Sequence, residues 1–86
     1  MAVVVELTYD MSKALGAARF EVEAGDVPAV VAAMRERFGK SEAEFDALRS
    51  RAAIAVNGVL VRHRDEGGAH LRDGDRVSFV KAAAGG

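Results

Sequence analysis

The sequence contains no cysteine and no tryptophan, and only one proline and one tyrosine. Without a thiol the chain offers no disulfide framework, no cysteine nucleophile and no thiolate metal site, so any sulfur chemistry must use sulfur supplied from outside. Twelve basic and thirteen acidic residues give a net charge of −1. That balance provides no general electrostatic attraction to nucleic acid or to an anionic membrane.

Length and hydrophobic content indicate one small globular domain. The chain has 86 residues, of which 50% are hydrophobic and 29% are charged. No apolar run approaches the roughly 20 residues that span a bilayer. The apolar run from Ala2 to Val5 is short and lacks a basic flank, so it does not have the pattern of a signal peptide. We therefore expect a cytoplasmic protein that does not associate with membranes.

The N-terminal half changes its hydrophobic period once. Residues 2–9 are rich in β-branched side chains and predict a strand, residues 10–17 predict a loop, and the alternation around Phe20 and Val22 predicts a second strand. The following segment has the spacing of one helix face. Its apolar stripe consists of Val27, Val30, Val31, Met34 and Phe38.

Capping signals set the bounds of the helices. Asp26 is a suitable N-cap, and Gly39 suits the left-handed residue that commonly ends a helix. Ser41 and Glu44 have the spacing of a capping box and predict a short second helix that ends near Leu48.

The C-terminal half predicts three further strands. Asn57-Gly58 between two apolar stretches is the strongest short-range hairpin signal, and a turn at Asp73-Gly74 precedes a last strand that contains Phe79. The order of elements predicts an α+β fold in which a main helix and a short helix cover a mixed sheet of about five strands. If the last strand lies beside the first, the main helix supplies the crossover that parallel pairing requires, which gives the ubiquitin-like β-grasp arrangement.

Three features resemble a known family. The segments AIAVNGVLV and LRDGDRVSFV and the closing Gly85-Gly86 are similar to the MoaD/ThiS sulfur-carrier proteins, and the likeness is strongest to the small subunit of molybdopterin synthase. The fold pattern covers the whole chain, whereas the specific motifs cover about its last third. The family often has proline before the final residues, where this chain has Lys81 and three alanines, and this difference leaves the branch and the partner open.

The resemblance implies a β-grasp domain over residues 1–80 and a flexible tail over residues 81–86. An adenylating enzyme of the MoeB/ThiF type would use ATP to activate the Gly86 carboxylate, and a sulfur donor protein would convert it to a thiocarboxylate. The sulfur would then pass to an acceptor, such as the molybdopterin precursor, on a large molybdopterin-synthase-type subunit. The chain would bind no cofactor or metal and would have no catalytic apparatus of its own. The residues expected to take part are the reacting Gly86 with Gly85, and the partner-binding Phe79, Lys81, Ala82, Ala83 and Ala84.

Other hypotheses use the same residues. The chain would also suit a protein modifier joined through its last glycine to lysines, a carrier for thiamine, cysteine or tRNA thiolation, or a passive interaction domain with an irrelevant tail. An independent enzyme is disfavoured because the sequence has neither a nucleophile–base pair nor a phosphate loop. Asp73 and Asp75 are explained by turn chemistry, and His63 and His70 lack a third ligand in pattern. Phe79 suits the core as well as an interface.

Overall fold

The chain folds into a mixed sheet with its helices packed against one face. The computed structural model describes residues 2–38 and 42–81. Within these ranges the elements, in chain order, are β1 (Ala2–Glu6), α1 (Tyr9–Leu15), β2 (Arg19–Glu23), α2 (Val27–Phe38), α3 (Glu42–Ser50), β3 (Ala52–Val56), β4 (Val59–Val61), a 3₁₀ helix (His63–Gly68) and β5 (Arg76–Lys81).

The strand order is β2-β1-β5-β3-β4. β1 pairs with β5 in parallel, with Val5 opposite Val77, and all the other strand pairs are antiparallel. The chain segment between β1 and β5 includes the helices, which supply the crossover that parallel pairing needs. The predicted α+β fold of the β-grasp type is therefore confirmed.

The hydrophobic core lies between one face of the sheet and the helices. The strands contribute Val3, Val5, Val22, Ile54, Val77 and Phe79. The helices contribute Met11, Val27, Val30, Met34 and Phe45. Burying one side chain of this size stabilises the fold by about 1.5–3 kcal/mol before conformational entropy is subtracted. The helical stripe predicted through Val27, Val30 and Met34 is thus confirmed as core.

The prediction of a loop over residues 10–17 is wrong, since α1 occupies most of this segment. β1 ends at Glu6, three residues earlier than the sequence predicts. Tyr9, which the predicted strand over residues 2–9 includes, instead begins α1 and is 74% exposed. The alternation of apolar residues therefore extends past the point at which the strand ends.

Local hydrogen bonds explain why α1 forms. Thr8 is the N-cap, and its hydroxyl accepts a hydrogen bond from the Met11 N–H at 3.1 Å. Gly16 adopts φ 86° and donates its N–H to the Ser12 carbonyl at 2.8 Å, which closes the C-terminal end. Met11 is fully buried, so the helix also gains tertiary support. A helix of seven residues is too short to be stable alone. It is also too short to show a repeated apolar period in the sequence.

Most of the other local predictions are confirmed. Asp26 caps α2 through a 2.9 Å hydrogen bond from the Ala29 N–H to its carboxylate. α3 continues to Ser50, two residues beyond the predicted end, and the loop that follows β4 contains the 3₁₀ helix. The predictions for Gly39, Ser41 and the side chain of Phe38 fall outside the described residues.

The Asn57-Gly58 turn connects the hairpin to the start of β5. Both residues have positive φ, 50° and 84°, as a type I′ turn requires. The Asn57 amide donates to the Asp75 carboxylate at 3.0 Å and accepts from the Arg76 N–H at 3.0 Å. The Arg72 N–H donates to the same carboxylate, and these two bonds lower the pKa of Asp75, with the backbone bond the larger cause. Turn chemistry thus accounts for Asp75, as the sequence predicts.

Replacing Asn57 should separate the two contributions of this turn. Asn57→Gly keeps the positive φ but removes both side-chain hydrogen bonds, and we expect it to lower the free energy of unfolding by about 0.5–1.5 kcal/mol. Asn57→Ala also places a Cβ in the left-handed region, so we expect a further loss of about 1–2 kcal/mol. Urea denaturation of the two variants measures this order. Equal stability of Asn57→Gly and the unmodified chain would show that the side-chain bonds contribute nothing.

Candidate functional site

The sheet face opposite the helices carries an exposed apolar patch near β4. The patch consists of Leu60 and Val80, with Ala53 and Ala55 between them. The register places Ala53 opposite Val80 and Ala55 opposite Leu60. Leu60 is 66% exposed and Val80 36%, whereas Ala55 is 5% exposed and lies outside the main core cluster. Exposed aliphatic side chains that lie together on one sheet face make this region a candidate for protein interaction.

The centre of the same sheet face is polar. Ser78 donates its hydroxyl hydrogen to the Glu6 carboxylate at 3.0 Å, and the Arg76 Nε lies 3.6 Å from the same oxygen. These groups satisfy one another where β1 meets β5. The apolar patch therefore ends at this polar cluster and does not cover the whole sheet face.

A pocket of about 420 Å³ lies at the end of β5. Its walls come from the start of α1, the end of α3 and the adjacent ends of β3 and β5. The lining residues are Thr8, Tyr9, Asp10, Leu48, Arg51, Ala52, Val80 and Lys81. The pocket is continuous with the apolar patch through Val80, and residues 82–86 follow its Lys81 wall in the chain.

A second, wider groove of about 860 Å³ lies between α2, α3 and the 3₁₀ helix. Arg35 and Asp46 form an ion pair across it at 2.7 Å. Arg49 pairs with Glu66, and both of these side chains are mostly buried. Because these charged groups already bind one another, the groove has the character of a structural contact between the helices.

The structure places the predicted site residues in three different settings. Phe79 is 2% exposed and belongs to the core, so it does not present its ring to a partner as the partner-binding assignment requires. Lys81 is exposed and pairs with Ala52, which extends β5 one residue beyond the predicted domain boundary at residue 80. The predictions for Ala82, Ala83, Ala84, Gly85 and Gly86 lie outside the described residues.

The sequence interpretation did not assign Leu60 and Val80 to the site, although the strand alternation contains the signal. If Val77 and Phe79 face the core, Val80 must face away from it. Similarly, Leu60 is opposite Ala55 and on the other side of the strand from its hairpin neighbours Val59 and Val61. Phe79, which the sequence analysis assigned to partner binding, is the core-facing neighbour of the exposed Val80.

The described ranges contain no group of three His, Asp or Glu side chains that could hold a metal ion. His70 takes part in an isolated backbone bridge with Asp26, and the side chain of His63 lies outside the described part of the chain. None of the helices in residues 2–38 and 42–81 is long and apolar enough to cross a membrane.

Solved structures share this architecture over nearly the whole chain. A chain of the complex of subunits 1 and 2 of molybdopterin-converting factor from Helicobacter pylori 26695 matches with a TM-score of 0.67 and 26% identity, over 100% of both chains. A putative molybdopterin-converting factor subunit 1 from Pyrococcus furiosus has a TM-score of 0.74 and 22% identity, over 96% of this chain and 99% of that one. The small archaeal modifier protein 1 from Methanosarcina acetivorans has a TM-score of 0.75 and 20% identity, over 99% and 96%.

These neighbours define the class of protein: the chain is a ubiquitin-like β-grasp domain. The model of the ThiS family matches residues 9–86, so the chain belongs to the ThiS family and to the class of MoaD/ThiS sulfur carriers that its sequence resembles. No curated protein matches the sequence significantly. The structural neighbours include both converting-factor subunits and modifier proteins, so the fold is common to both kinds.

Replacing the side chains of two neighbouring β5 residues should change the free energy of unfolding by different amounts. Phe79→Ala removes a buried ring and should lower the free energy of unfolding by about 3–5 kcal/mol. Val80→Ser, on the outer face, should change it by less than about 1 kcal/mol. Chemical denaturation of both variants measures the difference. Similar losses for the two would contradict the assignment of Phe79 to the core and Val80 to the surface.

Proposed function

We propose that this chain is a sulfur carrier that reacts at its C-terminal Gly86. A MoeB/ThiF-type enzyme adenylates the Gly86 carboxylate with ATP, and a sulfur donor protein then displaces AMP to leave a thiocarboxylate. The observation that carries the proposal is the ThiS family match, which extends through Gly86. Because the activating enzyme uses the ATP, the carrier itself needs no bound cofactor. We propose that the carrier acts in the cytoplasm.

The composition of the last residues suits this chemistry. Residues 82–86 are three alanines and two glycines, and when extended they reach at most about 17 Å beyond Lys81. Small side chains allow a narrow channel on a partner to admit the segment, and glycine permits close approach of backbone to the nucleotide. The partner then binds the folded domain on its surface while the Gly86 carboxylate reacts inside the channel.

We propose that the partner proteins bind to the apolar patch. Leu60 and Val80 are exposed, and Val80 is separated from residue 82 only by Lys81. A partner that covers the patch would therefore hold the start of the reactive segment. This proposal gives Val80 the docking role that the sequence interpretation gave to Phe79.

The acceptor that we propose is the molybdopterin precursor, bound on a large molybdopterin-synthase-type subunit. The Helicobacter pylori neighbour belongs to a complex of subunits 1 and 2 of molybdopterin-converting factor, which supports a large-subunit partner for this chain. In this assembly the carrier would be a cosubstrate, and the larger subunit would supply the active site. Thiamine, cysteine and tRNA thiolation share the activation step and differ only in the acceptor.

A protein modifier joined through Gly86 is the second candidate. It is favoured by the likeness to the small archaeal modifier proteins, which share the fold over 99% of this chain in the Methanosarcina acetivorans structure. Adenylation of Gly86 is common to both proposals, and the nucleophile that follows separates them. A lysine amine would give an isopeptide bond, whereas a sulfur donor would give a thiocarboxylate.

Intact mass spectrometry tests the reaction at Gly86. After incubation with ATP, the adenylating enzyme of the same organism and a sulfur donor, we expect a mass gain equal to replacing one oxygen by sulfur. Deleting Gly86, or adding one alanine after it, should abolish the gain and leave the unfolding curve unchanged. A gain that persists in both variants would contradict the assignment of Gly86. High-mass adducts in a lysate that disappear when Gly86 is deleted would favour the modifier instead.

Leu60 and Val59 offer a matched pair for testing the docking surface. They are neighbours with similar exposure, 66% and 69%, but they project from opposite sides of β4. Leu60→Ser should raise the apparent KM of the adenylating enzyme for the carrier about tenfold, as expected for an interface anchor. Val59→Ser should change it less than twofold. Equal effects on the two would show that the partner does not recognise the open sheet face.

A further inference from the structure

We propose that the adenylating enzyme carries carboxylate side chains around the entrance of the channel that receives residues 82–86. These carboxylates would face Arg51, Arg62 and Lys81 when the enzyme covers the apolar patch. We call these three residues the cationic margin. This inference rests on the proposed function and names the chemistry of the partner. It follows from the unequal distribution of charge over a domain whose net charge is only −1.

The cationic margin lies at the end of the apolar patch where β5 ends. Arg51 and Lys81 line the pocket at the end of β5 together with Val80. Arg62 follows Leu60 by two residues on extended backbone, with φ −66° and ψ 145°, which places it beside the patch on the β4 side. All three residues are exposed.

These three cations have no ion-pair partner among the described residues. Among the described residues that line the pocket shared by two of them, Asp10 is the only carboxylate. Arg19 and Arg72 are also exposed and have no salt bridge among the described residues, but neither lies beside the apolar patch. Four other arginines are engaged within the domain. Arg35 pairs with Asp46, Arg49 pairs with Glu66, Arg76 lies near Glu6, and Arg37 stacks over the Phe20 ring at 4.4 Å.

The acidic residues of the open sheet face lie on its other side. Glu21 and Glu23 are exposed on β2, the opposite edge strand. Four strand spacings separate β2 from β4, which is about 19 Å and more than two Debye lengths at physiological ionic strength. Glu6, on β1, is already bonded to Ser78. β2 also carries the exposed Arg19 opposite Glu6, so the far edge has two carboxylates and one cation. The cationic margin, in contrast, lies at the end of the sheet where the chain passes from β5 into residue 82.

Such a division has a physical role in docking. Single exposed ion pairs add little affinity, but a complementary field raises the rate of association and selects one orientation. A carrier whose reacting group must enter a channel has one productive orientation. Carboxylates at the channel entrance would attract the cationic margin and repel Glu21, so that Lys81 arrives first. A solvated arginine face without a partner is the alternative, and it predicts no dependence on which edge carries the charge.

Charge reversal at the two edges tests the inference. The probe is the adenylating enzyme of the same organism, and the measured quantity is its association rate constant with the carrier at low and high salt. The double variant Arg51→Glu/Arg62→Glu should associate about tenfold more slowly at low salt, and the difference should shrink at high salt because salt screens the field. The neutral variant Arg51→Gln/Arg62→Gln should lie between. The control Glu21→Arg should associate at least as fast as the unmodified chain.

The outcomes separate this inference from the proposed function. If the unmodified chain gains sulfur but the double variant associates at the unmodified rate, the partner lacks the carboxylates and the inference is overturned. A loss of equal size in Glu21→Arg would also overturn it, since the effect would then not depend on the edge. If the unmodified chain binds with the expected salt dependence but gains no sulfur, the proposed reaction fails and the charge complementarity stands. Circular dichroism of each variant checks that the fold is retained.

Discussion

The parallel pairing of β1 with β5 is the contact on which the rest of the architecture depends. It brings the first and the last strand together in the middle of the sheet, with Val5 opposite Val77 and core side chains on one face of both strands. Parallel pairing requires a long crossover, and the helices that provide it cover that face. The same pairing leaves the last residue of β5 at the margin of the sheet, where Lys81 lies opposite Ala52. Core formation and the position at which the chain leaves the sheet after Lys81 therefore have one structural cause.

The alternating side chains of β5 place a core residue next to the residue proposed for docking. Phe79 is buried against the helices, whereas Val80 is exposed on the open face. The two roles fall on consecutive residues because a strand turns successive side chains to opposite faces. If partners contact the open face, as proposed above, its residues can be substituted without altering the core. It also explains why an aromatic residue near the end of the strand does not by itself locate the docking surface.

Much of the fold could be predicted because its local signals agree with its tertiary contacts. The Asp26 cap, the stripe through Val30 and Met34 and the Asn57-Gly58 turn each specify an element that the structure confirms. α1 could not be predicted from periodicity, since a helix of seven residues presents one buried side chain, Met11, and depends on tertiary packing for its stability. The outward direction of Val80 follows from the alternation that places Val77 and Phe79 in the core. The direction of Leu60 required the strand register, which is a property of pairing between distant segments.

Charge adds the information that an apolar patch lacks. Hydrophobic contact is non-directional, so Leu60 and Val80 alone would bind a partner in more than one orientation. Arg51, Arg62 and Lys81 lie at the end of the patch from which the chain continues into residue 82. The edge strand farthest from β4 carries Glu21 and Glu23 with one cation, Arg19. On the function proposed above, a domain with a net charge of only −1 encodes direction by placing positive groups next to the segment that reacts. Its core then needs only to hold these surface residues in a fixed relation, which the central strand pair does.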